Sequence, residues 1–168
     1  MAVTKGFPPI LGAVARILVL GSLPSQQSLI KNQYYGNSRN AFWPIMGDLF
    51  GAGPEHSYAE RCSILSGQGI AVWDVLRAGI RPGSMDAAIK DDSAKPNNFQ
   101  QFHVNHPELQ VVCFNGKAAE RLFRKLVPAE AQESFGEIKF VTMPSTSPAY
   151  AAMRFAEKLQ RWAAIAEC

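Results

Sequence analysis

The sequence has few cysteines, no long apolar run and no signal-peptide pattern. Its three cysteines, Cys62, Cys113 and Cys168, are widely spaced and form no Cys-x-x-Cys pair. This argues against a disulfide framework, an iron–sulfur cluster or a structural zinc site. No apolar stretch reaches the roughly 18 residues that a membrane-spanning helix needs, and no small-residue cleavage site follows the first apolar run. We therefore expect a cytoplasmic protein that has no membrane partner.

Metal-binding and cofactor-binding patterns are also missing. His103 and His106 are three residues apart, but no third ligand lies nearby in the sequence and Pro107 interrupts the helix that would hold them. The chain contains neither a Gly-x-Gly-x-x-Gly fingerprint nor a phosphate-loop lysine. We therefore expect no metal and no organic cofactor.

The charge is only mildly unbalanced, with a formal net charge of +3 over 168 residues. This value permits a polyanionic partner but does not require one. No long basic run is present, so DNA, if it is the partner, would be held by a shaped groove with few phosphate contacts. The length suits a single domain spanning residues 1–168, and we expect a monomer.

Short apolar runs alternate with segments of helical character. The predicted strands are 16–20, 69–75, 109–114 and 138–143, and the predicted helices are 42–50, 58–66, 97–105, 117–126 and 150–166. This alternation predicts an α/β fold with a mainly parallel sheet covered on both faces. Ligands of such folds bind at the carboxyl ends of the strands, so the chemistry is expected in the loops 21–41, 74–83, 115–116 and 144–149.

The first of these loops is unusually long and polar. It contains GSLPS at 21–25 and YYGNSRNAFW at 34–43, and its length exceeds the few residues usual between a strand and a helix. GSLPS is either an ordinary turn or a ligand loop with free amides. Asn40 stands just before a helix and is either its N-cap or a carboxamide that holds water or a substrate carbonyl. Spacing alone favours core packing for Phe42 and Trp43.

Three further positions each allow a structural and a functional interpretation. Asn115 would cap the next helix or read a base edge, because a carboxamide offers one acceptor and two donors. Ser147, followed by proline, fits a helix N-cap but also a phosphate-binding loop. Asp74 would activate water or pair with Arg77 or Arg81, and we favour the ion pair.

The loop sequences resemble the uracil-DNA glycosylase superfamily, and most closely its hypoxanthine-DNA glycosylase branch. The matching segments are GSLPS, YYGNSRNAFW, GIAVWDV with the following RPGSMDAAI, FNGKAA and PSTSPAY, which occur in family order over about residues 16–155. The resemblance implies a three-layer α/β/α sandwich with a central four-stranded, mainly parallel sheet. It also implies a monofunctional glycosylase that acts on DNA containing deaminated bases and needs no cofactor.

The resemblance also implies roles for individual residues. Asn40 would be the catalytic residue, and the segment 144–149 would press on the DNA backbone. The base-binding set would be Gly21, Ser22, Leu23, Phe42 and Asn115, with Phe42 stacked on the base, and the DNA-backbone set would be Ser25, Ser145, Thr146 and Ser147.

Two departures from the family pattern bear on the substrate. Uracil-cleaving members carry an aspartate in the first motif, and mismatch-type members an asparagine, where this chain has GSLPS with Ser22 near that position. Their last motif begins with a histidine, whereas Met143 and Pro144 precede Ser145 here. These differences favour hypoxanthine as substrate, with xanthine or uracil as further options.

Two other function classes stay open at this point. One is a non-catalytic nucleotide- or damaged-DNA-binding α/β module. The other is a serine esterase that uses Ser22, although the sequence has no Gly-x-Ser-x-Gly motif to support a nucleophilic serine.

Overall fold

The computed structural model describes residues 2–168, which form two sheets and seven α-helices. The strands are β1 Thr4–Lys5, β2 Ile17–Gly21, β3 Ile70–Asp74, β4 Leu76–Gly79, β5 Lys95–Pro96, β6 Val111–Asn115 and β7 Lys139–Met143. The helices are α1 Gln26–Lys31, α2 Phe42–Phe50, α3 Tyr58–Gly67, α4 Phe99–Asn105, α5 Lys117–Leu126, α6 Ala129–Glu133 and α7 Phe155–Trp162.

The main sheet has four parallel strands in the order β3-β2-β6-β7. Side chains of β2 alternate between its two faces. Leu18 and Leu20 pack with apolar side chains of α4, α5 and α6, whereas Ile17 and Val19 pack with those of α2, α3 and α7. Both faces of the sheet are therefore covered, which confirms the predicted α/β/α sandwich and explains why β2 is buried along its whole length.

The order of the strands positions the candidate site. From β2 the chain first forms β3 on one side and then crosses to form β6 on the other. Loops that leave neighbouring strands in opposite directions open a crevice at the carboxyl edge of a parallel sheet. The end of β2, at Gly21, lies at this crevice.

Local signals place several helices where the sequence predicted them. α2 begins at Phe42 and ends before Gly51, whose φ of 81° lies in the left-handed region that favours glycine. α3 begins with a capping box in which Ser57 and Glu60 exchange hydrogen bonds. α5 spans 117–126 as predicted.

Other elements differ from the prediction. α1 and α6 are short helices in segments where no helix was predicted, and β1, β4 and β5 form a small antiparallel sheet that was not predicted. α7 begins at Phe155 rather than at Tyr150. The prediction that Ser147 caps this helix is therefore wrong, because 144–154 runs as an irregular segment.

No helix within residues 2–168 is long and apolar enough to cross a membrane.

Candidate active site

A cavity of about 300 Å³ opens at the carboxyl edge of the main sheet. Loops that follow all four of its strands contribute to the walls, as the parallel arrangement predicted. Its lining includes Gly21, Ser22, Leu23 and Ser25 after β2, Asp74 at the end of β3, Asn115 at the end of β6, Ser145, Thr146 and Ser147 after β7, and Tyr35 and Asn40 from the long first loop.

An ion pair between a buried arginine and a partly exposed aspartate holds the loop after β2 in place. The Arg81 guanidinium donates to Asp86 Oδ1 at 3.0 Å and to the carbonyl oxygens of Leu23 and Pro24. The Ser22 hydroxyl donates to the same Asp86 oxygen. Arg81 is almost fully buried, and its buried bonds to the two carbonyl oxygens fix the shape of the loop.

Ser22 is therefore engaged in structure rather than poised as a nucleophile. Its hydroxyl donates to Asp86, and none of the described residues that line the cavity is a histidine. A serine esterase needs a general base within hydrogen-bonding reach of the serine, so the esterase interpretation does not fit this site.

Asn40 lies at the cavity wall with its carboxamide oriented by the backbone. Its Oδ1 accepts a hydrogen bond from the Phe42 N–H at 2.9 Å, while Ala41 occupies the cap position of α2. The bond to Phe42 uses one lone pair and leaves the amide hydrogens and the second lone pair of Oδ1 for a ligand. Supporting the start of the helix and facing the cavity are thus compatible roles for one side chain.

Phe42 is not among the aromatic residues that line the cavity, which are Phe7, Tyr34, Tyr35 and Tyr150. Phe42 is fully buried and lies outside the cavity lining, so the expected direct stacking of Phe42 on a base does not fit this geometry. Its ring stacks against Tyr35, with centroids 4.1 Å apart and planes at 25°, and meets Trp43 and Trp162 edge-on. Phe42 supports Tyr35, which faces the cavity.

Asn115 is paired with Thr146 through both ends of its carboxamide. Its Nδ2 donates to Thr146 Oγ1, and its Oδ1 accepts from the Thr146 N–H, both at 2.9 Å. The cap position of α5 is occupied by Gly116, whose φ is 94°, so the N-cap interpretation of Asn115 is wrong. Asn115 instead joins the end of β6 to the loop after β7.

Thr146 is a structural link rather than a surface residue. Only 1% of it is exposed, its side chain bonds to Asn115, and its carbonyl accepts the Ala41 N–H at 2.9 Å. The expectation that its side chain contacts the DNA backbone is therefore corrected. Through these bonds Thr146 connects Asn115, at the end of β6, to the start of α2, next to Asn40.

The remaining serines differ in their free hydrogen-bonding capacity. Ser145 Oγ accepts the Ser147 N–H, and Ser147 Oγ accepts the Ala149 N–H, each at 3.2 Å. Both hydroxyl hydrogens stay available to a phosphate oxygen. Ser25 caps α1 and exchanges hydrogen bonds with Ser28, which satisfies its hydroxyl and leaves no donor for DNA.

A lysine lies beneath the loop after β7. Lys158 of α7 is 5% exposed, its Nζ lies 3.4 Å from the Ser147 carbonyl oxygen, and it is 5.3 Å from the centre of the Tyr150 ring. Burial lowers the pKa of this ammonium group. It places a positive charge behind the two serines.

Asp74 ends β3 with its carboxyl group at the cavity. The favoured pairing with Arg77 or Arg81 is wrong, because Arg77 is exposed and Arg81 pairs with Asp86. Burial raises the pKa of Asp74 from its ordinary 3.8 to about 7; Arg81 lowers it and Asp86 raises it.

Of these features, Asp74 was considered from the sequence, but Tyr35 and the Arg81–Asp86 pair were not identified as parts of the site. Tyr35 belongs to the YYGNSRNAFW segment and Asp86 to RPGSMDAAI, so both lay within the segments that carried the resemblance. Nothing in either segment indicated which aromatic ring would face the cavity.

The chain is similar to known proteins over most of its length. The model of the uracil DNA glycosylase superfamily matches residues 8–166. A protein from Methanosarcina acetivorans named hypoxanthine DNA glycosylase is 40% identical over 118 residues, which is 70% of this chain and 73% of the relative. A Methanosarcina barkeri protein of the same name is 40% identical over 114 residues, or 67% of this chain and 71% of the relative.

A solved structure agrees with the fold. The solution NMR structure of a Methanosarcina acetivorans protein, described as a candidate uracil DNA glycosylase, superposes with a TM-score of 0.79 at 32% sequence identity. The match covers 98% of this chain and 97% of the other. Since the family model also spans nearly the whole sequence, this chain belongs to the uracil DNA glycosylase superfamily.

Proposed function

We propose that this chain is a monofunctional DNA glycosylase that hydrolyses the N-glycosidic bond of hypoxanthine in DNA, with Asn40 as its catalytic residue. One observation carries the proposal: a backbone-oriented carboxamide lines the cavity, while the loop after Gly21 contributes no carboxylate. The name shared by the two Methanosarcina relatives supports hypoxanthine as the base. Xanthine and uracil are the secondary substrates that we propose.

The target base must first leave the duplex, because its glycosidic bond is inaccessible within the stack. Flipping costs a few kcal/mol and is easiest for a mispaired or damaged base. A cavity of about 300 Å³ has the size of a small-ligand site. The Tyr35 ring at its wall offers a stacking surface, which is worth about 1–3 kcal/mol per base. In this proposal Tyr35 takes the place first given to Phe42.

Asn40 then positions the attacking water. A carboxamide is not a base at neutral pH, so it orients the water but does not take its proton. The water oxygen forms a bond to C1′ while the C1′–N bond breaks, and the base leaves with that electron pair. The proton passes to solvent as the sugar gains its hydroxyl group, and the base is protonated in turn. Fixed dipoles around the leaving base stabilise its developing negative charge.

The loop after β7 is proposed to hold the DNA backbone. Ser145 and Ser147 keep free hydroxyl donors, and Lys158 adds a positive charge behind them. Gly21, Ser22 and Leu23 also line the cavity, and in this proposal their backbone contacts the flipped nucleotide. Asn115 is proposed to contribute to base selection through the hydrogen-bonding capacity that Thr146 leaves free.

The test is a set of duplex oligonucleotides that each contain one altered base, incubated with the protein in EDTA and then treated with alkali. We expect strand breaks at hypoxanthine, and the same rate without EDTA. Asn40→Ala should lower the single-turnover rate by about 10²–10³-fold, the usual cost of losing one preorganised polar group. Asn105→Ala, an exposed asparagine on α4, is the matched control and should cleave like wild type.

Two results would oppose the proposal. Wild-type turnover by Asn40→Ala, with its fold confirmed by thermal unfolding, would remove Asn40 from the mechanism. Tight binding of the altered duplexes without alkali-labile sites would instead favour the damaged-DNA-binding module.

A further inference from the structure

Asp74 is the buried ionisable group of the cavity that the mechanism above leaves without a role. It pairs in register with Gly21 at the carboxyl ends of β3 and β2, and only 4% of it is exposed. Its Oδ2 is buried with no hydrogen-bond partner among residues 2–168. A buried polar atom without a partner is costly, so this oxygen indicates a position where a ligand group belongs.

The backbone around Asp74 is firmly held, which fixes where its side chain can reach. The Asp74 carbonyl accepts a hydrogen bond from Asn97 Nδ2, and the Gly21 carbonyl accepts one from the Val75 N–H, each at 2.8 Å. Rotation about the last side-chain torsion of an aspartate is soft. Both carboxyl oxygens can therefore turn toward the cavity without moving the strand.

Gly21 keeps the space in front of this carboxyl open. A methyl group on Gly21 would lie 2.7 Å from Asp74 Oδ1 and 2.9 Å from the Tyr35 hydroxyl oxygen. Both distances are too short for a carbon atom, so only glycine fits. The Tyr35 hydroxyl is also buried and has no hydrogen-bond partner in the described chain. Asp74 Oδ1 and the unpaired Tyr35 hydroxyl thus lie close to the same face of Gly21, and Asp74 Oδ2 is the second unpaired oxygen of this group.

Arg81 favours a negative charge on Asp74, but burial and the nearby Asp86 oppose it. Arg81 is committed to Asp86, which is itself acidic. Tyr34 donates its hydroxyl to backbone carbonyls of the N-terminal segment, and burial raises the pKa of Tyr35 well above its ordinary value. Burial likewise raises the pKa of the Asp74 carboxyl to about 7. A large share of the molecules therefore carries a proton on Asp74 at neutral pH.

We propose that Asp74 in its neutral, protonated form is the group that holds the lactam edge of the flipped base. This inference rests on the proposed glycosylase function and names a substrate-binding residue for it. A lactam edge has an N–H beside a C=O, as in hypoxanthine, xanthine and uracil. A neutral carboxyl group matches it with two hydrogen bonds: its O–H donates to the base carbonyl, and its own carbonyl accepts the base N–H.

The same contact would assist bond cleavage. As the glycosidic bond breaks, negative charge spreads onto the base carbonyl oxygen, and a neutral acid that donates to this oxygen stabilises the charge. An ionised carboxylate would accept the N–H but repel the carbonyl oxygen. A neutral carboxyl group can also form two hydrogen bonds with adenine when its proton moves to the other oxygen. Asp74 therefore holds the lactam edge but does not by itself exclude adenine.

The experiment is a pH profile of single-turnover cleavage of a hypoxanthine-containing duplex between pH 5.5 and 9. The variants are wild type, Asp74→Asn, Asp74→Leu and the control Asp48→Asn, which removes an exposed carboxyl on α2. An asparagine offers one donor and one acceptor at every pH. Because the lactam N–H of the substrate also titrates in alkaline solution, the informative quantity is the ratio of each variant's rate to the wild-type rate at the same pH.

We expect the wild-type rate to fall above pH 7 as Asp74 ionises. Asp74→Asn should be about 3–10-fold slower than wild type at pH 6, because its geometry differs, but should exceed wild type by about 3–10-fold at pH 8.5. Asp74→Leu should lose about 10²-fold at pH 6, and Asp48→Asn should follow wild type. Affinity for a duplex with a non-cleavable 2′-fluoro analogue of the hypoxanthine nucleotide should show the same pH trend.

The opposite pattern would overturn the proposal. If Asp74 instead activates water as an anion, the wild-type rate rises through pH 7 and Asp74→Asn is strongly impaired at every pH. Wild-type rates for Asp74→Leu would exclude a contact with the base. If Asp74→Asn does not fold, the direction of the wild-type pH profile and the pH trend of the 2′-fluoro affinities still test the proposal. Failure of wild type to release any base would refute the glycosylase proposal itself, which is a separate outcome.

Discussion

Two walls of the same cavity differ in whether their polar groups have hydrogen-bond partners. On one wall, Asn115 and Thr146 satisfy each other through two hydrogen bonds of 2.9 Å. On the other, Asp74 Oδ2 and the Tyr35 hydroxyl are buried without partners, and Asp74 Oδ1 and the same hydroxyl lie against Gly21. Paired groups give rigidity, whereas unpaired buried groups lower stability until a ligand arrives. The first wall therefore holds the loops together, and the second has unused hydrogen-bonding capacity for the base in the proposed function.

The largest expected effect comes from adding a methyl group at Gly21, on the wall whose polar groups have no partners. Gly21→Ala places a methyl group against Asp74 and Tyr35, and we expect kcat/KM for hypoxanthine release to fall by at least about 10²–10³-fold, because a misplaced substrate loses most of its rate advantage. Gly67→Ala is the control, since a methyl group there meets nothing within 4 Å. Similar activity of both variants would mean that no ligand group enters beside Gly21.

The second prediction concerns the pH dependence of stability. The folded chain keeps a proton on Asp74 up to about pH 7, whereas the unfolded chain loses it near pH 4. The folded state thus binds more protons in this window, and the stability contributed by Asp74 falls as the pH rises through it. Full ionisation in the folded state would cost at most about 4 kcal/mol.

This dependence should be absent from Asp74→Asn. We expect the free energy of unfolding of the variant, relative to wild type, to rise by about 3 kcal/mol between pH 4.5 and pH 8.5 in urea denaturation. Asp48→Asn should show no such rise. A constant difference between Asp74→Asn and wild type would show that Asp74 is ionised in the folded chain throughout, and would place a hidden partner beside it.

The paired wall should respond in stability and coupling. Thr146→Val removes the hydroxyl that accepts from Asn115 Nδ2 and keeps the backbone N–H that donates to Oδ1, so we expect a loss of about 1–3 kcal/mol from the unpaired donor. A double-mutant cycle with Asn115→Ala should show a coupling of about 1 kcal/mol or more. Asn115→Ala should also change the order of preference among hypoxanthine, xanthine and uracil. Equal losses on every base would restrict Asn115 to the structural role.

The smallest effect is expected at the DNA-backbone serines. Ser147→Ala removes a free hydroxyl donor and should weaken duplex binding about 3–5-fold, the value of a modest hydrogen bond. Ser25→Ala removes a hydroxyl that is already satisfied within α1 and should lower stability by about 1 kcal/mol without changing affinity. Fluorescence anisotropy at fixed salt, with thermal unfolding alongside, separates the two results.

The sequence was informative wherever local patterns determine structure. Apolar runs such as 16–20 and 109–114 predicted parallel strands, because strands of a sheet covered on both faces are apolar along their length. Four residues were enough to predict the capping box of α3. Parallel strands then bring their following loops to one edge, which is why Asn40, Asp74 and Asn115 could be expected in one cavity.

What the sequence could not predict depends on tertiary partners. Asn115 looked like a helix cap, but Gly116 occupies that position and Thr146, 31 residues away, takes the carboxamide. Phe42 and Tyr35 are both plausible stacking rings, and only the packing of Phe42 against Trp162 decides which faces the cavity. The short strands β1 and β5 pair two residues each and carry no periodicity to detect.

The contacts of the Arg81 side chain limit which sequence changes the fold can accept. One guanidinium group joins the turn after β2, through two carbonyl oxygens, to the segment that carries Asp86. Neither segment can be lengthened or rebuilt alone without stranding a positive charge inside the protein. Attempts to redesign the base preference by altering GSLPS will therefore need compensating changes some sixty residues further along the chain.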